Sequence, residues 1–297
     1  MMDASTDQLR TLAAVIDYGT FERAAEALHI TPSAVSQRMK GLEQQAGRVL
    51  VLRTKPIAPT AAGQILLRLA RQVALLESEA LDELGAEGGH GRSSIPLVVN
   101  ADSLATWVLP ALASLDEVSF EITLEDQDHT LDRLRDGTAM AAITSDPEPV
   151  QGCVVSRLGS MRYRPTASPL FVERWLPNGY GSAGFDDDAL ASAPMLVFDR
   201  KDALQDRYLA SRGAVAHPPR HFVPASTEFV RAAELGLGWG MLPALQTDPL
   251  IADGRLVVLD EGGAVDVPLY WQQWSLESST LAVVAATLMD AATRELR

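Results

Sequence analysis

Residues 21–47 read FERAAEALHITPSAVSQRMKGLEQQAG and predict two short helices joined by a tight turn. Thr31 favours a helix start because its hydroxyl can cap backbone N–H groups, and Pro32 fits the first helical position, where its missing N–H costs nothing. An apolar stripe follows at spacings of four and three residues, formed by Val35, Met39 and Leu42. This periodicity indicates a second helix with one buried face.

The remaining faces of this second helix carry short hydroxyl, amide and cationic groups, which can reach base edges and phosphates. A polar surface helix is the alternative interpretation, but a helix-turn-helix presents the same pattern to the major groove. The apolar run at residues 49–52 predicts a strand and wing, with Arg53 near a phosphate. The predicted DNA-contacting residues are Thr31, Ser33, Ser36, Gln37, Arg38, Lys40 and Arg53.

A further amphipathic helix precedes this stretch, with Asp7 as its predicted N-cap and Gly19 as its end. Charge is unevenly distributed: the net charge is −14 for the 297 residues but +4 for residues 31–60. The negative charge of the rest of the chain should repel DNA and weaken non-specific binding. The affinity for DNA should therefore depend on contacts made locally by residues 31–60.

Composition excludes several classes of protein. The hydrophobic content of 47 % and charged content of 22 % are ordinary for a globular chain of about two domains. Apolar runs are too short to span a bilayer and no secretory signal is evident, so we expect a cytoplasmic protein without a membrane partner. The single cysteine, Cys153, excludes an internal disulfide framework. No catalytic, metal-binding or phosphate-binding motif is evident, so we expect neither an enzyme nor a cofactor or metal.

Two stretches, FERAAEALHITPSAVSQRMKGLEQQAGRVLVLR and PTAAGQILL, resemble the N-terminal region of LysR-type transcriptional regulators. In that family a long helix after the wing pairs two subunits. Here Thr60 could cap such a helix over residues 61–84, and a coiled-coil-like seam recurs along it. The seam residues are Ile65, Leu69, Val73, Leu76 and Ala80. The glycine-rich residues 85–94 predict a hinge.

Beyond the hinge, strand-like and helical runs alternate, which indicates an α/β fold with a mostly parallel sheet. Strands are predicted at 95–99, 119–124, 139–144, 195–198, 221–223 and 268–274, and helices from 103, near 131–135, at 203–210, 226–235 and 278–295. The resemblance implies a two-lobed effector domain similar to periplasmic solute-binding proteins. The expected domains are a winged helix-turn-helix (1–60), a linker helix and hinge (61–93) and an effector domain (94–297), with lobe I at 94–165 and 266–297 and lobe II at 166–265.

Several segments of the body resemble the LysG/ArgP subgroup of the family: NADSLATW, LEDQDH, GLGWGMLP and VPLYWQQW. This resemblance implies an activator of a basic amino acid exporter gene, with lysine, arginine or histidine bound between the lobes. It also implies an operator in double-stranded DNA, RNA polymerase as a partner, and a homodimer or homotetramer.

The residue types suit such a ligand. Ser103 and Thr106, near a helix N-terminus, could hold a carboxylate. Acidic loops could attract a cation, and a tryptophan could add a cation–π contact. The predicted effector-binding residues are Asn100, Asp102, Ser103, Thr106, Trp107, Glu125, Asp126, Asp128, Thr144, Asp199, Asp202, Ser226, Thr227 and Trp239.

Alternatives remain open at several of these positions. Asp128 and Asp202 could simply cap helices, and Trp271 and Trp274 could pack or form an interface. Arg162 or Arg164 could bind a ligand carboxylate or form a structural ion pair. For the whole chain, the alternatives are a LysR-type regulator of another metabolic operon with a different effector, a solute-binding protein or an enzyme.

Overall fold

The computed structural model describes residues 4–84, 94–124, 127–180, 189, 192–213 and 218–297. The predicted hinge, except Ser94, lies outside these residues. The chain begins with three helices, α1 (Thr6–Tyr18), α2 (Phe21–Ala27) and α3 (Pro32–Ala46). They enclose an apolar core that includes Leu12, Val15 and Leu42, each with no exposed surface.

Local residues set the ends of these helices, and the predicted cap at Thr31 and helix end at Gly19 are confirmed. The hydroxyls of Thr20 and Thr31 accept hydrogen bonds from backbone N–H groups in the first turns of α2 and α3. Gly19 and Gly47 end α1 and α3 with φ of +71° and +63°, a conformation that glycine adopts without the steric cost of a Cβ.

The predicted N-cap of α1 is wrong. Ser5 occupies that position and forms a capping box with Gln8, in which each side chain bonds the other residue's backbone. Asp7 lies one residue inside the helix. Its carboxylate there still interacts favourably with the positive end of the helix dipole.

A two-stranded antiparallel wing follows, formed by β1 (Val51–Leu52) and β2 (Ala58–Pro59). It is shorter than the predicted run of 49–52. Helix α4 (Ala61–Glu83) comes next, and the hydroxyl of Thr60 accepts from Gly63 N at 3.1 Å, so the predicted cap is confirmed. No helix in the described ranges is both long enough and apolar enough to cross a membrane.

The remaining chain alternates strands and helices, as predicted for an α/β fold. In chain order the elements are β3 (Ser94–Val99), α5 (Ala101–Ser103, continuing through a π-helical turn at Leu104–Val108 to Leu109–Leu112), β4 (Ser119–Leu124), α6 (Gln127–Arg135), β5 (Ala141–Thr144), β6 (Cys153–Ala167), α7 (Pro169–Trp175), β7 (Met195–Val197), α8 (Leu204–Ser211), β8 (Arg220–Phe222), α9 (Ser226–Glu234), β9 (Gly240–Pro243), α10 (Ala244–Ala252), β10 (Val257–Val258), β11 (Val265–Trp274) and α11 (Ser279–Glu295).

The chain forms two compact units. The first unit contains residues 1–99, 115–156 and 271–286, and so holds the three N-terminal helices, the wing and α4. Within it β3 pairs in parallel with both β4 and β5, and all but the first residue of β3 are buried. A strand buried on both faces explains the continuous apolar run in the sequence.

The second unit contains residues 100–114, 157–270 and 287–297. Its β7 and β8 pair in parallel, whereas β6 pairs antiparallel with β9 and β10. The expectation of a mostly parallel sheet is therefore wrong for β6, a strand that the sequence analysis missed. Its core includes Trp239 and Phe171.

Candidate nucleic-acid interface and effector site

The outer face of α3 presents four of the predicted DNA-contacting residues. Ser33, Ser36, Gln37 and Lys40 are all exposed, while the apolar stripe on the opposite face is buried. The helix thus separates a packing face from a polar face that carries hydroxyl, amide and ammonium groups. Such groups can read base edges and bind phosphates.

The other three predicted residues have distinct roles in the structure. Thr31 caps α3, with its Oγ1 accepting from Ala34 N at 3.2 Å. Arg38 forms an ion pair with Asp7 at 2.8 Å, and a surface pair of this kind contributes little stability. Arg53 is exposed directly after β1 on the wing. All seven residues lie in the part of the chain formed by the three N-terminal helices and the wing, which we call the DNA-binding head. Their contact with DNA stays a prediction.

The second unit contains a network of polar side chains around Asp102. Its Oδ2 accepts from the Tyr163 hydroxyl at 2.7 Å, and its Oδ1 accepts from the Ser226 hydroxyl at 2.6 Å. The amide Nε2 of Gln246 then donates to Ser226 Oγ at 2.6 Å. Four elements, α5, β6, α9 and α10, therefore supply one side chain each to this network.

Burial raises the pKa of the Asp102 carboxyl, opposed by the hydrogen bonds from Ser226 and Tyr163, and the charge of Asp202 raises it further. Burial and the charge of Asp102 in turn hold the pKa of Tyr163 well above its usual value. Asp102 and Asp202 repel each other, and among the described residues Asp102 forms no ion pair, so the potential around Asp102 is negative.

A groove adjoins the network within the second unit, with a volume of about 480 Å³. Its lining includes the predicted effector residues Thr106 and Thr227, together with Gln246 of the network. Thr106 Oγ1 donates to the Asp102 backbone oxygen at 2.6 Å. Asp102 and Ser226 are thus joined by a hydrogen bond, while Thr106, one helical turn after Asp102, and Thr227, next to Ser226, line the groove. Their use as one effector site stays a prediction.

Other predicted residues of α5 are engaged locally. Asn100 Oδ1 accepts from Ser103 N at 2.8 Å, so Asn100 caps the helix. The Ser103 hydroxyl is buried and, within the described residues, has no hydrogen-bond partner. The indole N–H groups of Trp107 and Trp239 are likewise buried and unpartnered there. Unpaired buried donors are uncommon in proteins and often mark functional regions.

Asp199 and Asp202, two of the predicted effector residues, accept hydrogen bonds from backbone N–H groups of their own loop. Asp199 Oδ1 accepts from the backbone N–H groups of Lys201 and Asp202. Asp202 accepts from Phe198 N and Leu204 N, each at 3.0 Å. Asp202 therefore precedes the N-cap residue, Ala203, and accepts from the first N–H of α8, a local role close to the capping alternative. Its charge also acts on Asp102.

Of the remaining predicted effector residues, one lies in the first unit and three cannot be placed from the described residues. Thr144 belongs to the first unit, where its buried hydroxyl accepts from Asp146 N at 3.1 Å. Glu125 and Asp126 lie outside the described residues. Asp128 falls in α6, and its side chain is also outside the described part.

The arginines considered for a ligand carboxylate form structural ion pairs. Arg162 binds Asp266 through two hydrogen bonds of 2.7 Å. Arg164 pairs with Asp248 on α10. Trp271 and Trp274 are buried, with exposed fractions of 1 % and 0 %, so their packing interpretation is correct.

Tyr163 and Gln246 were not predicted from the sequence. Tyr163 lies in β6, whose mixture of charged and apolar residues gave no strand signal, and Gln246 is an ordinary helical glutamine. Their separation from Asp102, 61 residues in the case of Tyr163, leaves no local pattern to detect.

The chain matches two family models, described as "Bacterial regulatory helix-turn-helix protein, lysR family" at residues 6–64 and "LysR substrate binding domain" at residues 89–293. It is 49 % identical over 296 residues to the HTH-type transcriptional regulator LysG of Mycobacterium tuberculosis, covering 98 % of this chain and 95 % of that protein. It is 45 % identical to the lysine export transcriptional regulatory protein LysG of Corynebacterium efficiens, covering 97 % of this chain and 98 % of that protein.

Among solved structures, the chain resembles full-length LysG of Corynebacterium glutamicum with the bound effector Arg. The TM-score is 0.76 and the identity 39 %, with 99 % of each chain covered. The relatives are regulators rather than enzymes, and both family models fit the two kinds of site described above. The chain therefore belongs to the LysR family, as a DNA-binding transcriptional regulator of the LysG/ArgP type.

Proposed function

We propose that the chain activates a gene for basic amino acid export when arginine or lysine binds at Asp102. The observation that carries the proposal is the absence of a cation at this carboxylate. In the described part of the chain no ion pair includes Asp102. A partly buried anion without a cation is costly, and a ligand ammonium or guanidinium would supply one.

Three other aspartates of the second unit provide a contrast. Asp260 pairs with Arg212, Asp266 with Arg162 and Asp206 with Arg220. The protein supplies a cation to these three carboxylates, whereas among the described residues Asp102 accepts hydrogen bonds from the hydroxyls of Tyr163 and Ser226 and forms no ion pair. A cationic side chain bound at Asp102 would also reduce its repulsion with Asp202.

The relatives support the same effector class. A LysG structure at 39 % identity carries arginine, and a relative at 45 % identity is named for lysine export. Transferred to this chain, these names support a basic amino acid as the effector and basic amino acid export as the regulated process. We propose that a rising effector concentration switches on the exporter gene through contacts with RNA polymerase.

Pairing of two copies through α4 would place two heads on one DNA site. The predicted seam is solvent-exposed in the single chain: Ile65, Leu69 and Leu76 have exposed fractions of 72 %, 37 % and 40 %. An apolar stripe of this kind is typical of a helix that packs against another copy. Two heads compensate for the modest positive charge of each one, since a dimer engages two half-sites at once.

The experiment maps the DNA bound by the protein in cells and measures transcription of the adjacent genes with and without added arginine or lysine. We expect a bound site upstream of a transporter gene whose transcript rises with either amino acid, and no rise in a strain lacking the regulator. Binding beside genes unrelated to amino acid transport, with no response to either amino acid, would favour a LysR-type regulator of another operon.

A further inference from the structure

One arginine of α4 contacts both the N-terminal helices and the α/β part of the first unit. Arg71 has an exposed fraction of only 9 %. Its Nη2 donates to Asp17 Oδ1 of α1 at 2.5 Å, and its Nη1 donates to the Thr138 carbonyl oxygen at 2.6 Å. Thr138 lies in the turn between α6 and β5. A single guanidinium thus joins three parts of the chain that are distant in sequence.

The turn at residues 136–138 packs directly against α4. Gly137 has φ of +79°, and a Cβ there would come within 3.0 Å of Arg68 N and 3.2 Å of the Gln64 carbonyl oxygen. Only glycine permits this approach at this backbone conformation. The turn is therefore packed against the helix backbone itself, at the level of Arg68.

Arg68, one helical turn before Arg71 on α4, also forms hydrogen bonds between α4 and the α/β part of the first unit. Its Nη2 donates to the carbonyl oxygens of Leu134 and Arg135, at 3.1 and 2.8 Å, which end α6. A cation at the C-terminus of a helix satisfies the unpaired carbonyls and interacts favourably with the dipole. A shift of α6 therefore has to move α4 or break these hydrogen bonds.

The carboxylate of Asp17 depends on Arg71. Burial raises the pKa of Asp17 and Arg71 opposes this effect, while Glu121 on β4 raises the pKa further. Loss of the guanidinium would leave a partly buried carboxylate beside another acid. An unpaired buried charge is destabilising, so the carboxylate of Asp17 has to stay close to the guanidinium of Arg71. The position of α1 therefore depends on the position of Arg71.

We propose that Arg71 is a positioning residue that couples the α/β part of the first unit to the DNA-binding head, through the turn at 136–138 on one side and Asp17 on the other. The proposal rests on the proposed function, because its test uses the change in DNA binding that arginine produces. Coupling of this kind is a free energy shared by two sites, so it can be measured without naming every residue between them.

The test compares wild type with Arg71→Gln, Arg71→Lys and Asp17→Asn. The control is Arg10→Ala, which breaks an exposed ion pair between α1 and α4, Arg10 with Glu77 at 2.9 Å, without touching the turn. The DNA probe is a duplex selected by wild type from a random-sequence library and labelled at both ends. Anisotropy gives its affinity and energy transfer its bend, each with and without arginine, and calorimetry gives arginine binding.

We expect arginine to change the wild-type DNA affinity or bend, by a factor on the order of 5 to 150 for the affinity. Arg71→Gln should bind arginine and DNA but lose this response. Arg71→Lys should restore part of it, because an ammonium can keep one of the two contacts. Arg10→Ala should respond as wild type does. An unchanged response in both Arg71→Gln and Asp17→Asn would overturn the proposal.

Hydrogen exchange in the arginine-free protein supplies a readout that does not depend on the effector. Arg71→Gln should speed exchange both at the end of α1 and in the turn at 136–138, whereas Arg10→Ala should affect α1 alone. Asp17→Asn keeps the contact to Thr138 and should affect α1 more than the turn. Exchange raised on only one side by Arg71→Gln would contradict the coupling. Absence of arginine and lysine binding to wild type would instead contradict the proposed function, and the exchange result would still decide the coupling.

Discussion

At the residue scale, the proposed function assigns to Asp102 the choice of ligand in the second unit. Asp102→Asn keeps the size of the side chain but removes the charge that a cationic ligand requires. Loss of one partner of a desolvated charge pair costs about 2–5 kcal/mol, so arginine affinity should fall roughly 30-fold or more. Calorimetric titration measures the change, and the exposed Asp253→Asn is the matched control. Equal affinity in wild type and Asp102→Asn would remove Asp102 from the site.

The protonation of Asp102 makes arginine binding pH-dependent. Burial raises the pKa of this carboxyl in the effector-free protein, with a further contribution from Asp202, and its neighbour Tyr163 stays neutral. Arginine stabilises the anionic form, so binding should release a proton at a pH near the raised pKa, and the affinity should fall as the pH is lowered through that pKa. Titrations in buffers of different ionisation heat detect the proton. Asp102→Asn should show a weaker pH dependence, and equal slopes would contradict this assignment.

At the element scale, α3 and the wing should contribute to DNA binding in different ways. Ser36→Ala combined with Gln37→Ala removes groups that can contact base edges, so it should reduce discrimination between the selected duplex and a scrambled one by about 1–3 kcal/mol per lost base contact. Arg53→Ala should weaken binding to both duplexes and lower the salt slope by about 1. Gel-shift titrations at several salt concentrations separate the two effects. A loss of affinity confined to one sequence in Arg53→Ala would contradict a phosphate contact.

The seam of α4 makes a second prediction at this scale. Leu69→Glu together with Leu76→Glu places carboxylates on the exposed apolar stripe and should shift the protein from dimer to monomer, because like charges would face each other across a helix pair. Sedimentation velocity measures the state, with Val283→Glu on α11 as a control at another exposed apolar position. A dimer that persists in the double variant would show that α4 is not the pairing surface.

Elements with strong local signals could be predicted from the sequence. The helices α2 to α4 have clear caps and an apolar period, and β3 is a continuous apolar run. The long strand β6 was missed because charged residues such as Arg157 and Arg162 interrupt its apolar positions and Pro165 lacks a backbone donor. Its place in the sheet is set by pairing with β9 and β10, which only the tertiary structure provides.

At the scale of the whole molecule, the sequence predicted individual residues of the candidate effector site but not the hydrogen bonds and ion pairs between them. Asp102 and Ser226 were both named, yet the hydrogen bond between them spans 124 residues. The capping role of Asp202 and the ion pair of Arg164 likewise depend on neighbours that no local pattern reveals. The basic residues of 31–60 and the carboxylate of Asp102 are the features on which the proposal of DNA binding at one part of the chain and amino acid binding at another depends.

The most direct test of this account is a calorimetric titration of the full-length protein with arginine and with citrulline, which has nearly the same shape but no side-chain charge. We expect saturable binding of arginine, comparable binding of lysine, and citrulline affinity at least about 30-fold lower, since the neutral side chain cannot pair with Asp102. Equal affinities for arginine and citrulline, or no binding of either arginine or lysine, would contradict the central claim that this regulator senses a basic amino acid.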